Sequence, residues 1–290
     1  MLSAASARGA SEAQTLERLL RRDRTITIVS LSALCALAWL YIAKGAGLGM
    51  SAWQMTTFAL FPHQQHLADA MPGMDTFATA ARWGATAWAL IIAMWWIMMI
   101  AMMTPSAAPT ILLYARIYRH ARLQGQWQGR FGQVGMFAAG YLLAWLVFSA
   151  AAASLHWVLQ HAGLISAMMM STQSRWLSGI VLIAAGLYQL SPLKNICLAH
   201  CRTPASFLSQ HWRPHAGGAL RLGAMHGAYC VGCCWMLMAL LFVGGVMNLA
   251  WIAALALLVL VEKVLAQGPW IGRVSGAVLI AWGGATLLIK

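Results

Sequence analysis

The sequence predicts an all-α fold, a polytopic bundle of about seven transmembrane helices with its N terminus inside and its C terminus outside. Three observations carry this prediction. Hydrophobic residues make up 61% of the 290 and charged residues only 9%, against roughly 25% charged in a soluble domain. Apolar stretches of transmembrane length recur along the chain. Lysine and arginine are distributed unequally between the connections, 15 on one side and 4 on the other, which orients the bundle by the positive-inside rule.

In chain order, the expected helices lie near 25–46, 83–103, 134–155, 177–198, 223–245, 249–265 and 271–288. Residues 1–24 form a basic cytoplasmic arm, rich in Ala, Ser, Glu and Arg, ahead of a transmembrane domain over 25–290. The arm is too long for a signal-peptide n-region, and Ala36-Leu37-Ala38 lies inside the first apolar run, so that run reads as a retained helix. Cys35 reads as a small core residue. The net charge of +13 follows the side count, so it reports topology and contact with anionic lipid; the chain is not read as a nucleic-acid binder.

The exterior loop over 47–82 contains FPHQQHLADAMPGMD, in which His63 and His66, and Met71 and Met74, are three residues apart. Helical spacing would put each pair on one face, and imidazole with thioether suits copper; alternatively, Trp53, Phe61 and the methionines rest on the membrane surface. The second helix carries MWWIMMIAMMTPSAAP, with Met94, Met98 and Met102 at i+4 on one face and Met99 and Met103 beside them. These methionines serve as packing or as weak soft-metal sites. Pro105 and Pro109 remove two backbone donors and are expected to kink or end this helix.

Five of the six cysteines fall into two groups: Cys197 and Cys201 in SPLKNICLAHC, and Cys230, Cys233 and Cys234 in HGAYCVGCCW. At about 100° per residue, Cys197, His200 and Cys201 share one helix face, and so do His226, Cys230, Cys233 and Cys234. The topology puts both faces at the cytoplasmic ends of helices four and five. Thiolates at this density suit Cu(I) or Zn(II), and binding would offset the cost of ionisable groups in the bilayer. The methionines favour Cu(I) over zinc. A rival reading is a membrane thiol–disulfide oxidoreductase or redox-linked subunit using Cys230 and Cys233, a C-x-x-C pair, although the cytoplasmic side is reducing. A third is a structural subunit of a membrane complex, with the thiols filling helix crossings.

The acidic residues are Glu12, Glu17, Asp23, Asp69, Asp75 and Glu262, with no pair spaced for hydrolysis. No phosphate-binding loop is present. Glu262 and Lys263 read as an interfacial ion pair, with Glu262 also a candidate partner for a cluster histidine.

Three blocks, MWWIMMIAMMTPSAAP, YQLSPLKNICLAHCRTPASF and GAMHGAYCVGCCWMLM, the last followed by Glu262-Lys263, resemble the DUF2182 family of bacterial integral membrane proteins. That family is described as predicted metal-binding and sometimes labelled copper chaperones. The resemblance implies an inner-membrane location and a metal role for Cys197, Cys201, His226, Cys230, Cys233 and Cys234, and it extends weakly to Met98, Met99, Met102 and Met103. His200 lies outside the family pattern. The expected partners are the bilayer and a cuproprotein or membrane complex.

Overall fold

The computed structural model describes residues 24–46, 52–53, 56, 84–123, 132–166, 170–212, 215–265 and 268–288. His63, His66, Met71 and Met74 lie outside these residues. The helices are α1 (Arg24–Ala43), α2 (Ala85–Leu123), α3 (Gln133–His161), α4 (Arg175–Leu190) and α5 (Pro192–Arg202). They continue with α6 (Pro204–His211), α7 (Ala216–Ala239), the single turn α8 (Leu241–Gly244), α9 (Leu249–Val264) and α10 (Gly268–Leu288). The described residues contain no strand, only an isolated bridge between Ile165 and Thr172.

Five helices are long and apolar enough to cross a membrane, or six if the bent pair α4 and α5 is one span. At 16 residues, α9 is shorter than the roughly 20 that a crossing needs. Large apolar side chains face outward, among them Leu37, Val147, Leu187, Leu257 and Val278.

Two elements depart from the expected boundaries. The second helix does not end at its prolines: α2 runs through Pro105 and Pro109 for 39 residues, about 58 Å at 1.5 Å per residue. Pro105 cannot donate to the carbonyl of Ala101, and Cys35 Sγ supplies a donor there instead, at 3.6 Å. Just beyond, the Met103 carbonyl accepts from Ser106 Oγ at 2.9 Å and from Tyr141 OH at 3.2 Å. Neighbouring side chains thus serve the carbonyls around the proline and let the helix continue.

The expected helix over 177–198 is instead two helices bent by 62°. Ser191 leaves the helical conformation and caps α5, its Oγ accepting from Lys194 N at 3.2 Å, and Pro192 follows at the first helical position. Serine then proline is a start signal, and it overrides the apolar continuity of the segment.

Glycines set the helix contacts nearest the cysteines. A Cβ on Gly223 would stand 1.9 Å from the Phe137 carbonyl oxygen, and one on Gly140 would stand 2.0 Å from that of Leu220. The backbones of α3 and α7 therefore touch, as small residues allow where lipid supplies no hydrophobic drive. Gly227 continues the seam one turn on, against Ala144 and Tyr141. A similar seam joins α4 to α10, where a Cβ on Gly283 would meet the Gly179 carbonyl at 2.9 Å.

Gly223→Ala is expected to destabilise the protein by about 1–3 kcal/mol through overpacking. Gly284→Ala, where a Cβ meets nothing within 4 Å, is expected to be neutral or to stabilise by up to about 1 kcal/mol. Thermal unfolding in detergent distinguishes the two.

Candidate metal centre

The glycine seam brings α3 close enough for Tyr141 to reach the cysteines of α7, its hydroxyl lying 3.1 Å from Cys230 Sγ. Cys230, Cys233 and Cys234 are all buried. On the α5 side, Cys201 neighbours Cys230 and Cys233, and Cys234 neighbours the same two. Cys197 sits at the edge: a Cβ on Gly232 would stand 2.9 Å from its Sγ. The glycine inside C-V-G-C-C therefore makes room for a sulfur from the neighbouring helix. Tyr188 fixes the same point by donating to the Gly232 carbonyl.

The cysteines of α5 and α7 thus lie in one place. Even so, among the described residues no group of three or more His, Cys, Asp or Glu side chains is set out to hold a metal ion. Cys233 and Cys234 instead turn their Sγ atoms to the Cys230 carbonyl, at 3.1 and 2.9 Å. Rotation about their Cα–Cβ bonds would free those thiols for ligation.

The other sequence candidates are placed differently. His226 is buried one turn before Cys230, packed against Phe137, Tyr141 and Phe207, and its Nδ1 has no hydrogen-bond partner among the described residues. An unserved nitrogen in an apolar setting is costly, and it is a donor available to a metal. His200 turns away from the thiols, stacking on Tyr229 at 4.2 Å while its Nδ1 lies 2.9 Å from the Ile196 carbonyl. Of the α2 methionines, Met103 reaches the cluster, its Sδ 4.0 Å from Cys234 Sγ. Met94, Met98, Met99 and Met102 are buried in the core.

Glu262 and Lys263 do not pair with each other. Successive helical residues point about 100° apart, and these two serve different neighbours of α9. Glu262 receives Lys194 at 2.6 Å and Gln189 Nε2 at 2.7 Å, and Ser275 Oγ from α10 lies 3.4 Å from it. Lys194 also donates to Gln189. This polar knot ties α4, α5, α9 and α10 together at the bend. Lys263 faces the thiols, donating to Cys230 Sγ at 2.9 Å and to Ser106 Oγ at 3.3 Å. Tyr141 and Lys263 are the thiol neighbours that sequence reasoning missed, and Ser106 accepts from Lys263 beside them. For Lys263 the signal was present, since placing it on α9 with helical phase separates it from Glu262.

Long apolar helices, thiols gathered where α5 meets α7 and a buried polar clasp define an all-α helical bundle with helices long and apolar enough to cross a membrane. A family model described as "PpoB2: Copper chaperone" matches residues 92–286, and the chain belongs to that family. The match includes all five clustered cysteines, His226, Glu262 and Lys263. No curated protein and no solved structure matches the chain.

Lys194→Met is expected to cost about 3–5 kcal/mol, because it leaves the Glu262 carboxylate buried without its cation. Adding Glu262→Leu to it is expected to restore part of the loss. A double-mutant cycle on unfolding midpoints in detergent measures the coupling.

Proposed function

We propose that this protein crosses the inner membrane several times, takes up Cu(I) on the thiols of Cys201, Cys230 and Cys233, and passes the ion to a partner protein. The observation that carries the reading is the gathering of thiols from two helices, Cys197 Sγ of α5 against Gly232 of α7 and Cys201 beside Cys230 and Cys233, inside a chain of a copper-chaperone family. Cys197, Cys234, His226 and Met103 surround this set and extend it with further soft or borderline donors. Thiolate and thioether select Cu(I), and Cu(I) accepts two or three thiolates without a closed tetrahedral cage. A hydrogen-bonded cluster that opens by side-chain rotation suits a carrier, which has to release its cargo.

In this reading the short α9 is a seventh crossing, which puts the N terminus and the cluster on the cytoplasmic side and Lys290 outside. A topology reporter fused after Lys290 is expected to register the exterior, and the same reporter placed between α6 and α7 the cytoplasm. Reversal of that pattern would overturn the orientation.

Protein purified in mild detergent under reducing, anaerobic conditions is expected to retain or bind about one equivalent of Cu(I) and to lose it in Cys230→Ser/Cys233→Ser. Elemental analysis with circular dichroism separates loss of metal from loss of fold. Zinc in place of copper would change the cargo. A reversible Cys230–Cys233 disulfide without metal would instead favour the oxidoreductase reading.

A further inference from the structure

A cavity of about 120 Å³ lies where the end of α6 meets the first turns of α7. Gln210, His211 and Trp212 line it on one side, and Arg221, Leu222 and Met225 on the other. The polar part of this lining is rich in N–H groups and holds no acidic side chain. Arg221 and Gln210 make no side-chain hydrogen bond or ion pair among the described residues. His211 places Nδ1 3.1 Å from the Phe207 carbonyl, which leaves Nε2 for a ligand. Glu262 is the one carboxylate side chain among the described residues, and Lys194 holds it elsewhere in the bundle. The described residues therefore offer the Arg221 guanidinium no anion.

We propose that this cavity is a binding site for the phosphate group of a net-negative phospholipid. A guanidinium presents a planar fork of donors that matches phosphate oxygens, and such charge-assisted pairs are among the stronger hydrogen bonds. The rest of the lining points to a lipid as the source of that phosphate. Leu222 is buried and Met225 half-buried, so apolar surface adjoins the donors and suits the glycerol and upper acyl chain. The segment Ala216–Gly244 is long and apolar enough to cross a membrane, and the cavity lies at its beginning, at the level where headgroups sit. Trp212, just ahead of that segment, packs against Tyr114 of α2 with ring centroids 5.4 Å apart; amphipathic aromatic rings favour the same level. Basic pockets between helices at such a level recognise anionic headgroups. A phosphate held there would tie the end of α6 to α7 close to Phe207, whose ring lies 5.7 Å from that of His226. The site does not depend on the thiols binding metal.

Native mass spectrometry of the full chain in detergent, titrated with phosphatidylglycerol or with phosphatidylcholine, tests this. Phosphatidylcholine carries an ammonium that offsets its phosphate. The wild type is expected to bind one phosphatidylglycerol at least several-fold more tightly than phosphatidylcholine. Arg221→Gln is expected to weaken that binding by about ten-fold or more. Arg116→Gln removes the same charge from an exposed position of α2 outside the cavity, and is expected to stay within about two-fold of wild type, since a diffuse surface charge contributes little at one site. Equal weakening by the two variants, or equal affinity of the wild type for the two lipids, overturns the proposal. Displacement of the bound phosphatidylglycerol by millimolar inorganic phosphate would make free phosphate the ligand and overturn the lipid assignment. If Arg221→Gln does not fold, the wild-type preference for phosphatidylglycerol and its resistance to inorganic phosphate decide, and the lack of either overturns the proposal.

Discussion

The arrangement around the thiols depends on two opposite charges carried by successive residues of one short helix. Glu262 reaches Lys194 and Lys263 reaches Cys230, on different neighbours of α9. Both charges lie among apolar helices, where an ionisable group needs a partner. The partners decide which helices meet. Lys194 belongs to the first turn of α5, so holding it to Glu262 and Gln189 fixes the 62° bend after α4. That bend is what turns Cys201 toward α7 instead of continuing α4 in a straight line.

The opposite wall of the site comes from backbone proximity. Gly140, Gly223 and Gly227 leave no space for side chains between α3 and α7, and that closeness brings Tyr141 onto Cys230 at 3.1 Å. The site is therefore built from an ion pair that aims one helix and a glycine seam that presses another. The thiols lie where the two constraints meet.

Much of this was legible in the chain. The apolar runs predicted the helical bundle because bilayer-length hydrophobicity has few other readings, and the two cysteine groups stood out because helical phase put each on one face. The α4–α5 break was missed although Ser191-Pro192 announces it, since the surrounding hydrophobicity reads as continuous. The run of α2 through Pro105 was also missed, because the donors near its freed carbonyls, Cys35 and Tyr141, are 66 and 38 residues away from the groups they serve. Tyr141 belongs to no motif, and only packing reveals it. Glu262 and Lys263 were read as partners because they are adjacent, whereas helical geometry sends them apart.

For a family described as copper chaperones, the central claim is that copper is held by sulfur from both α5 and α7. X-ray absorption at the copper edge, on Cu(I)-loaded protein and on its Cys201→Ser variant, tests this most directly. The account predicts a first shell of two or three sulfurs in the wild type and one sulfur fewer in the variant. A first shell of nitrogen or oxygen, or one unchanged by Cys201→Ser, would contradict it.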